Sequence, residues 1–138
     1  MKKIIVLLVI GFMPFISFAQ DDTWIEVTKN KHKNPIYMKS TLTNIDEYGI
    51  QVWLKQDIPS FKTTKGVVYK NVHMKTLYSY NCIKIKMQVR SVVMYSSKGE
   101  IISSYNRPEY ENSFDYEDVV PETVAEALLN KACELFNN

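Results

Sequence analysis

Two long segments of alternating polarity, separated by a single residue, limit this chain more than anything else in it. They run from Val67 to Tyr80 and from Cys82 to Ser97. Leu77, Ser79 and Asn81 alternate with Tyr78, Tyr80 and Cys82; Ile83, Ile85, Met87 and Val89 then alternate with Lys84, Lys86, Gln88 and Arg90. Successive side chains of an extended chain point to opposite faces, so this pattern predicts antiparallel strands with one dry and one wetter face. A helix would scatter the same apolar residues around its whole circumference.

The remainder supplies shorter strands and one helix. Trp24 to Lys29 alternates, with Trp24, Glu26 and Thr28 on one side and Ile25 and Val27 on the other. Pro35–Lys39, Thr41–Ile45, Ile50–Lys55 and Ile101–Tyr105 read as further strands, with turns at Asp46-Glu47-Tyr48-Gly49 and Ser97-Lys98-Gly99-Glu100. Residues 57–66, with Pro59 and Gly66, and the acidic, aromatic stretch 106–119 are expected to be irregular. The period changes after Pro121, which suits a first helical position. Val124, Leu128, Ala132 and Leu135 form one stripe, and Ala125, Leu129, Cys133 and Phe136 its neighbour. Strand following strand without an intervening helix predicts an α+β fold, an antiparallel meander of about six strands with a C-terminal helix on one face.

The first residues read as an export signal. Met1-Lys2-Lys3 is basic, Ile4 to Ile10 is unbroken apolar, and Ser17-Phe18-Ala19 places small residues where signal peptidase needs them. The run falls short of the ~20 apolar residues of a membrane span. Residues 1–19 are therefore expected to be removed, leaving one domain over 20–138 with no transmembrane helix. No cysteine follows the apolar run, so an N-terminal lipid anchor is not available. The destination is the periplasm, the cell surface or the medium.

Cys82 and Cys133 both survive this cleavage, and in an exported chain with two cysteines a disulfide is the default. Such a bridge would pin the helix to the sheet. Metal ligation is not expected: the cysteines lie far apart, and neither His32 nor His73 shows ligand spacing.

Catalysis finds no foothold. The chain has no His-Glu-x-x-His helix and no Gly-x-Ser-x-Gly elbow, and Gly49, Gly66 and Gly99 are too dispersed for a phosphate loop. The acids Glu109, Glu111, Asp115, Glu117 and Asp118 cluster without calcium-loop spacing. No enzyme activity, cofactor or nucleic-acid partner is expected. Charge is instead polarised: residues 20–100 hold 13 Lys/Arg against 7 Asp/Glu, and residues 101–138 hold 2 against 8. Two such halves either neutralise each other within one fold or steer a partner.

A binding surface is the better expectation. Lys29, Lys31 and Lys33 form a basic turn which, with Lys62 and Lys65, suits an acidic glycan or an anionic surface; solvated loops are the plainer alternative. Tyrosine is enriched at binding surfaces, and Tyr69, Tyr78 and Tyr80 join the lysines as candidates. On a two-faced sheet some tyrosines belong instead to the core or to cross-strand pairs.

The order of motifs resembles the surface-adhesin protein E family of small exported bacterial proteins. Trp24 opens the first strand, and Val52-Trp53-Leu54 follows. Ser79-Tyr80-Asn81-Cys82 opens a long strand, Met94 to Ile101 forms a hairpin, and Val119 to Leu129 leads to a closing Cys133. The resemblance implies a six-stranded antiparallel sheet whose concave face holds the helix through Cys82–Cys133. It also implies a non-enzymatic surface role toward host extracellular-matrix and serum proteins, and a capacity to form a homodimer. The chain departs from the family in having Met38-Lys39 where an acidic residue commonly closes the second strand, Asn81 where Asp is common, and no lipobox cysteine. Only the cysteines are carried over by residue. The expected function is a binding module presenting a Tyr-rich β surface to an extracellular protein or acidic glycan. The alternatives are a self-associating structural or accessory envelope protein and a small periplasmic ligand-binding protein.

Intact-mass analysis of the exported protein is expected to give a chain beginning at Gln20; a product retaining Met1 contradicts the signal reading.

Overall fold

Residues 50–81 form one long hairpin, and the sheet is built outward from it. The computed structural model describes residues 23–111 and 116–137; the signal segment lies outside the described residues. In chain order the strands are β1 (Trp24–Lys29), β2 (Pro35–Lys39), β3 (Asn44–Ile45), β4 (Ile50–Lys62), β5 (Val68–Asn81), β6 (Lys86–Tyr95), β7 (Ile101–Asn106) and β8 (Glu117–Asp118). A single helix, α1, spans Val124–Asn137. The strands lie in the order β1-β2-β4-β5-β6-β7, with β3 paired to β4 and β8 to β6, and every pairing is antiparallel. This is the meander with a C-terminal helix that the alternation predicted.

One dry face carries the core. Ile36 and Met38 of β2, Ile50, Val52 and Leu54 of β4, and Tyr80 of β5 are buried there with Val119, Leu128, Leu129 and Ala132. The helix packs against β1, β4 and β5. Leu128 and Leu129 are nearly inaccessible, and burying a leucine side chain contributes about 2 kcal/mol. Gly49 is required at the edge of this core: a Cβ there would collide with the Tyr80 carbonyl.

Residues 57–66 depart from expectation. They were to be irregular, yet β4 continues to Lys62 and only a tight turn remains, closed by Thr63 N–H to the Val67 carbonyl (2.8 Å) with Gly66 at φ 85°. Pro59 does not interrupt the strand because it sits at an unpaired step. The register passes from Ile58↔Val72 to Ser60↔Lys70, and Asn71, opposite, has φ 53°. Proline lacks an N–H, and here no ladder bond is lost. The strand expected over Thr41–Ile45 shrinks to Asn44–Ile45.

The ends of the helix and of β6 also move. α1 begins after Thr123 rather than at Pro121, because Glu122 has φ 58° and breaks the helical path. Thr123 Oγ1 accepts the Glu126 N–H (3.4 Å), and the Glu126 carboxylate accepts the Glu122 N–H (2.8 Å), a variant of the capping box. The alternation through Ile83 and Ile85 is a turn rather than a strand. Ile85 has φ 55°, and Asn81 Oδ1 accepts the Lys84 N–H (2.9 Å). The segment after β7 is not wholly irregular either, since it forms a short helical turn at Glu109–Glu111 and the β8 pairing Lys86↔Asp118.

The expected disulfide is present. Cys82 and Cys133 are bonded, with Cα atoms 5.9 Å apart, and tie the end of β5 to the last turns of α1. They are 51 residues apart. Cys133→Ser is expected to lower unfolding stability by about 2–4 kcal/mol through the freed unfolded chain. Urea denaturation checks this, and an unchanged midpoint would mean that packing alone holds the helix.

Candidate binding surface

The two faces of the sheet have different fates, and strand parity decides which residues reach which. On the dry face Tyr78 and Tyr80 follow Thr76 along β5, with ring centroids 5.7 Å apart. Tyr80 is fully buried and Tyr78 half-buried. The expectation that they belong to a binding surface is therefore corrected: both lie on the face under the helix. The signal was in the sequence, because Tyr80 stands two residues before Cys82 and so shares its face, and Cys82 bonds the helix.

Burial pushes the Tyr80 hydroxyl pKa well up, with a smaller repulsion from Tyr78. It also raises that of Tyr78, with Glu117 adding to it. Tyr80 Oη has no hydrogen-bond partner among the described residues.

The expected lysines are exposed but dispersed. Lys29, Lys31 and Lys33 sit at the β1–β2 turn, whose Asn30 and Asn34 side chains donate to the Asp57 carbonyl (3.2 and 3.1 Å). Lys62 and Lys65 sit at the tip of the β4–β5 hairpin, with Tyr69 half-buried below them. Five residues of extended chain separate Asp57 from Lys62, about 17 Å. The two basic groups thus share one end of the sheet without forming one cleft.

On the face opposite the helix, half is sealed. Gln88 and Arg90, from the polar set of the alternation, were expected on the wetter face, yet both are buried, as is Ser79 beside them. The reason is the segment after β7, which returns across them. Tyr116 Oη is within 2.8 Å of Ser79 Oγ and accepts from Arg90 Nη2 (3.1 Å), and the Gln88 amide donates to the Glu111 carbonyl (3.4 Å). Asp46 lies 3.6 Å from Arg90 and accepts from the Gln51 amide (2.9 Å).

The other half is open and is the most distinctive surface of the molecule. Reading across strands, Glu26 opposes Tyr37, Tyr37 opposes Lys55, Lys55 opposes Lys75, and Lys75 opposes Val93. Flanking rows add Trp24 opposite Lys39, Trp53 opposite Leu77, and His73 opposite Tyr95. Lys55 Nζ stands 4.6 Å from the Trp24 ring centroid and 5.2 Å from that of Tyr37; Lys75 Nζ stands 5.5 Å from that of Tyr95. A cleft of about 250 Å³ is lined by Trp24, Lys39, Trp53, Lys75, Val93 and Tyr95. A second, of about 390 Å³, shares Lys75 and reaches Tyr37, Lys55 and the His73–Asp57 pair (2.6 Å). Sequence reasoning missed this site because its residues come from five strands. The local hint was that Trp53 points opposite to Val52 and Leu54.

Among the described residues no group of three or more His, Cys, Asp or Glu gathers as a metal-ligand set, and no helix is long and apolar enough to cross a membrane.

The architecture is thus a single antiparallel sheet with one helix stapled to it by a disulfide. The chain belongs to the surface-adhesin protein E family, whose model matches residues 24–134. The description of the family points to a surface-adhesin role. No curated protein and no solved structure matches the chain.

Tyr80→Phe removes a buried hydroxyl without a described partner and is expected to change stability at neutral pH by less than about 1 kcal/mol. A hydroxyl with a raised folded pKa favours the neutral form, so the wild-type fold keeps this contribution below about pH 10 and loses it as pH rises further. The variant is expected to show a shallower alkaline decline in its urea midpoint. A large loss at neutral pH would reveal a hydrogen bond to Tyr80.

Proposed function

We propose that the chain is exported, loses residues 1–19, and acts as a non-enzymatic adhesin-type module that engages an extracellular partner through the open half of its sheet. The observation that carries this reading is the platform of half-buried rings, Trp24, Tyr37, Trp53 and Tyr95, that line two surface clefts together with Lys39, Lys55 and the exposed Lys75. Contiguous aromatic surface that is not covered by the protein's own chain marks interaction sites. Family membership supports the same direction. Lys29, Lys31, Lys33, Lys62, Lys65 and Tyr69 form an outer basic rim that would draw an anionic partner toward the platform.

Two other readings have weaker support. Self-association as a homodimer is favoured by β7, an outer strand with Ile101 and Tyr105 exposed. Carriage of a small ligand would use the apolar cleft at the start of α1, lined by Ile36, Leu54, Met74, Tyr78, Met87 and Leu128. Its volume of about 250 Å³ falls below the about 300–1,000 Å³ usual for ligand pockets.

Surface labelling of intact cells, paired with fractionation, tests the proposal. The chain is expected to react with an impermeant label on unbroken cells. Labelling only after the outer envelope is opened would place it in the periplasm and end the adhesin reading.

A further inference from the structure

We propose that the open face is a binding site for an acidic polysaccharide, a chain of sugar rings bearing carboxylate or sulfate groups. The inference rests on the binding-module reading and names the partner's chemistry.

The first observation is an uncompensated charge pair. Lys55 and Lys75 stand directly opposite each other on neighbouring strands and on the same face. Like charges so placed repel and weaken the sheet locally. Among the described residues no carboxylate lies within 4.0 Å of either ammonium group. The nearest acid in the flanking row, Asp57, is already engaged by His73 at 2.6 Å. Each lysine rests instead over an aromatic ring. Such contacts offset part of the repulsion and leave the ammonium groups available to an external anion.

The second observation is the interleaving. Rings and cations are neighbours on this face, along β2 and β4 and across β1–β2 and β2–β4. Trp24 neighbours Lys39, Tyr37 neighbours Lys55, and Tyr95 flanks Lys75. A sugar ring presents apolar C–H groups on its face and acidic groups at its rim, so it can use an aromatic plane and an adjacent ammonium together. The two clefts meet at Lys75, which gives a polymer two consecutive seats with a cation between them.

The third observation separates a polysaccharide from an acidic peptide. Peptides bind sheets chiefly by adding a strand to a free edge, through main-chain hydrogen bonds. The site lies on the face of β1, β2, β4, β5 and β6; β1 contributes Trp24 from the outer strand, and the main-chain groups of the four strands that carry the cations and the other rings already pair with neighbouring strands. Recognition there depends on side chains alone, on planes and point charges, which suits a sugar polymer better than a peptide.

The only tryptophans of the chain, Trp24 and Trp53, both line one cleft, so intrinsic fluorescence reports occupancy directly. The disulfide-intact mature protein would be titrated with a uronate oligosaccharide, its sulfated counterpart, a neutral oligosaccharide of equal length and poly-glutamate. Calorimetry would run in parallel. A saturable fluorescence change is expected with one or both acidic sugars, weakened by added salt and absent with the neutral chain. Comparing the first two ligands identifies the anion. Lys75→Gln, and Lys55→Gln with Lys75→Gln, are expected to weaken binding by about tenfold or more while leaving the unfolding midpoint unchanged or slightly raised. The single exposed substitution keeps the test valid if the double variant folds poorly. Three results overturn the proposal: no binding of either acidic sugar at millimolar concentration, poly-glutamate binding as tightly as the sugars, or unaltered affinity in Lys75→Gln. Adhesion of whole cells that persists when acidic sugar binding is nil would remove this partner and leave the adhesin reading standing.

Discussion

Strand parity ties the core to the exposed face. Once Val52 and Leu54 turn inward beneath α1, Trp53 and Lys55 must turn outward. The same holds in β2, where burial of Ile36 and Met38 commits Tyr37 and Lys39 to the other side. A shift of one residue in either strand would exchange the two sets, placing lysines beneath the helix and leucines in water. The register is therefore fixed by hydrophobic burial, and the geometry of the open face follows from it. Its lysines and aromatic rings are held in a lattice because the core behind them cannot slip.

The opposite face is divided by a second constraint. The chain must travel from β7, at one border of the sheet, to α1 on the dry side. It does so by running back along β6, pairing through β8 and entering the core at Val119. On the way Tyr116 caps Ser79 and Arg90. Arg90 is nearly inaccessible and sits beside Asp46 at 3.6 Å, with Nε and Nη1 unbonded among the described residues. Burial of an ion pair costs much of what its attraction returns, so this network does more to position the returning segment than to stabilise the sheet. Removal of Asp46 would leave the buried Arg90 without its carboxylate, whereas Asp46 without Arg90 would still accept from the Tyr48 and Gly49 N–H groups and the Gln51 amide. The returning segment also delimits the site, since it covers the half of the face near Ser79 and leaves bare the half near Lys75.

Much of this was legible in the sequence, for physical reasons that differ by element. Antiparallel pairing, the helix and its clamp were readable because two-residue and 3.6-residue periods are local, and because two cysteines admit one intramolecular pairing. Pro59 and Gly66 misled, because a proline at an unpaired step and a glycine in a tight turn resemble a loop when partners are unknown. Tyr80 misled through composition: tyrosine suits surfaces, but its parity with Cys82 outranked that tendency. Gln88 and Arg90 look like a wet face until the segment covering them is placed, and nothing local announces that it will return. The open face is the least local feature, since Trp24, Tyr37, Lys55, Lys75 and Tyr95 come from five strands and meet only in the assembled sheet.

The same parity that builds the site also insulates the fold from it. Trp53, Lys55 and Lys75 can change without altering the volume packed against Leu128 and Leu129, because their side chains never enter that layer. The Cys82–Cys133 clamp holds the helix whatever residues occupy the outer face. Selection can therefore exchange the outward rows for a new partner while the inward rows and the clamp stay constant. For that reason membership of the family bears on the sheet, the helix and the disulfide and names no particular ligand. The partner of this chain has to be read from its own outward residues, which are cationic, aromatic and arranged in rows.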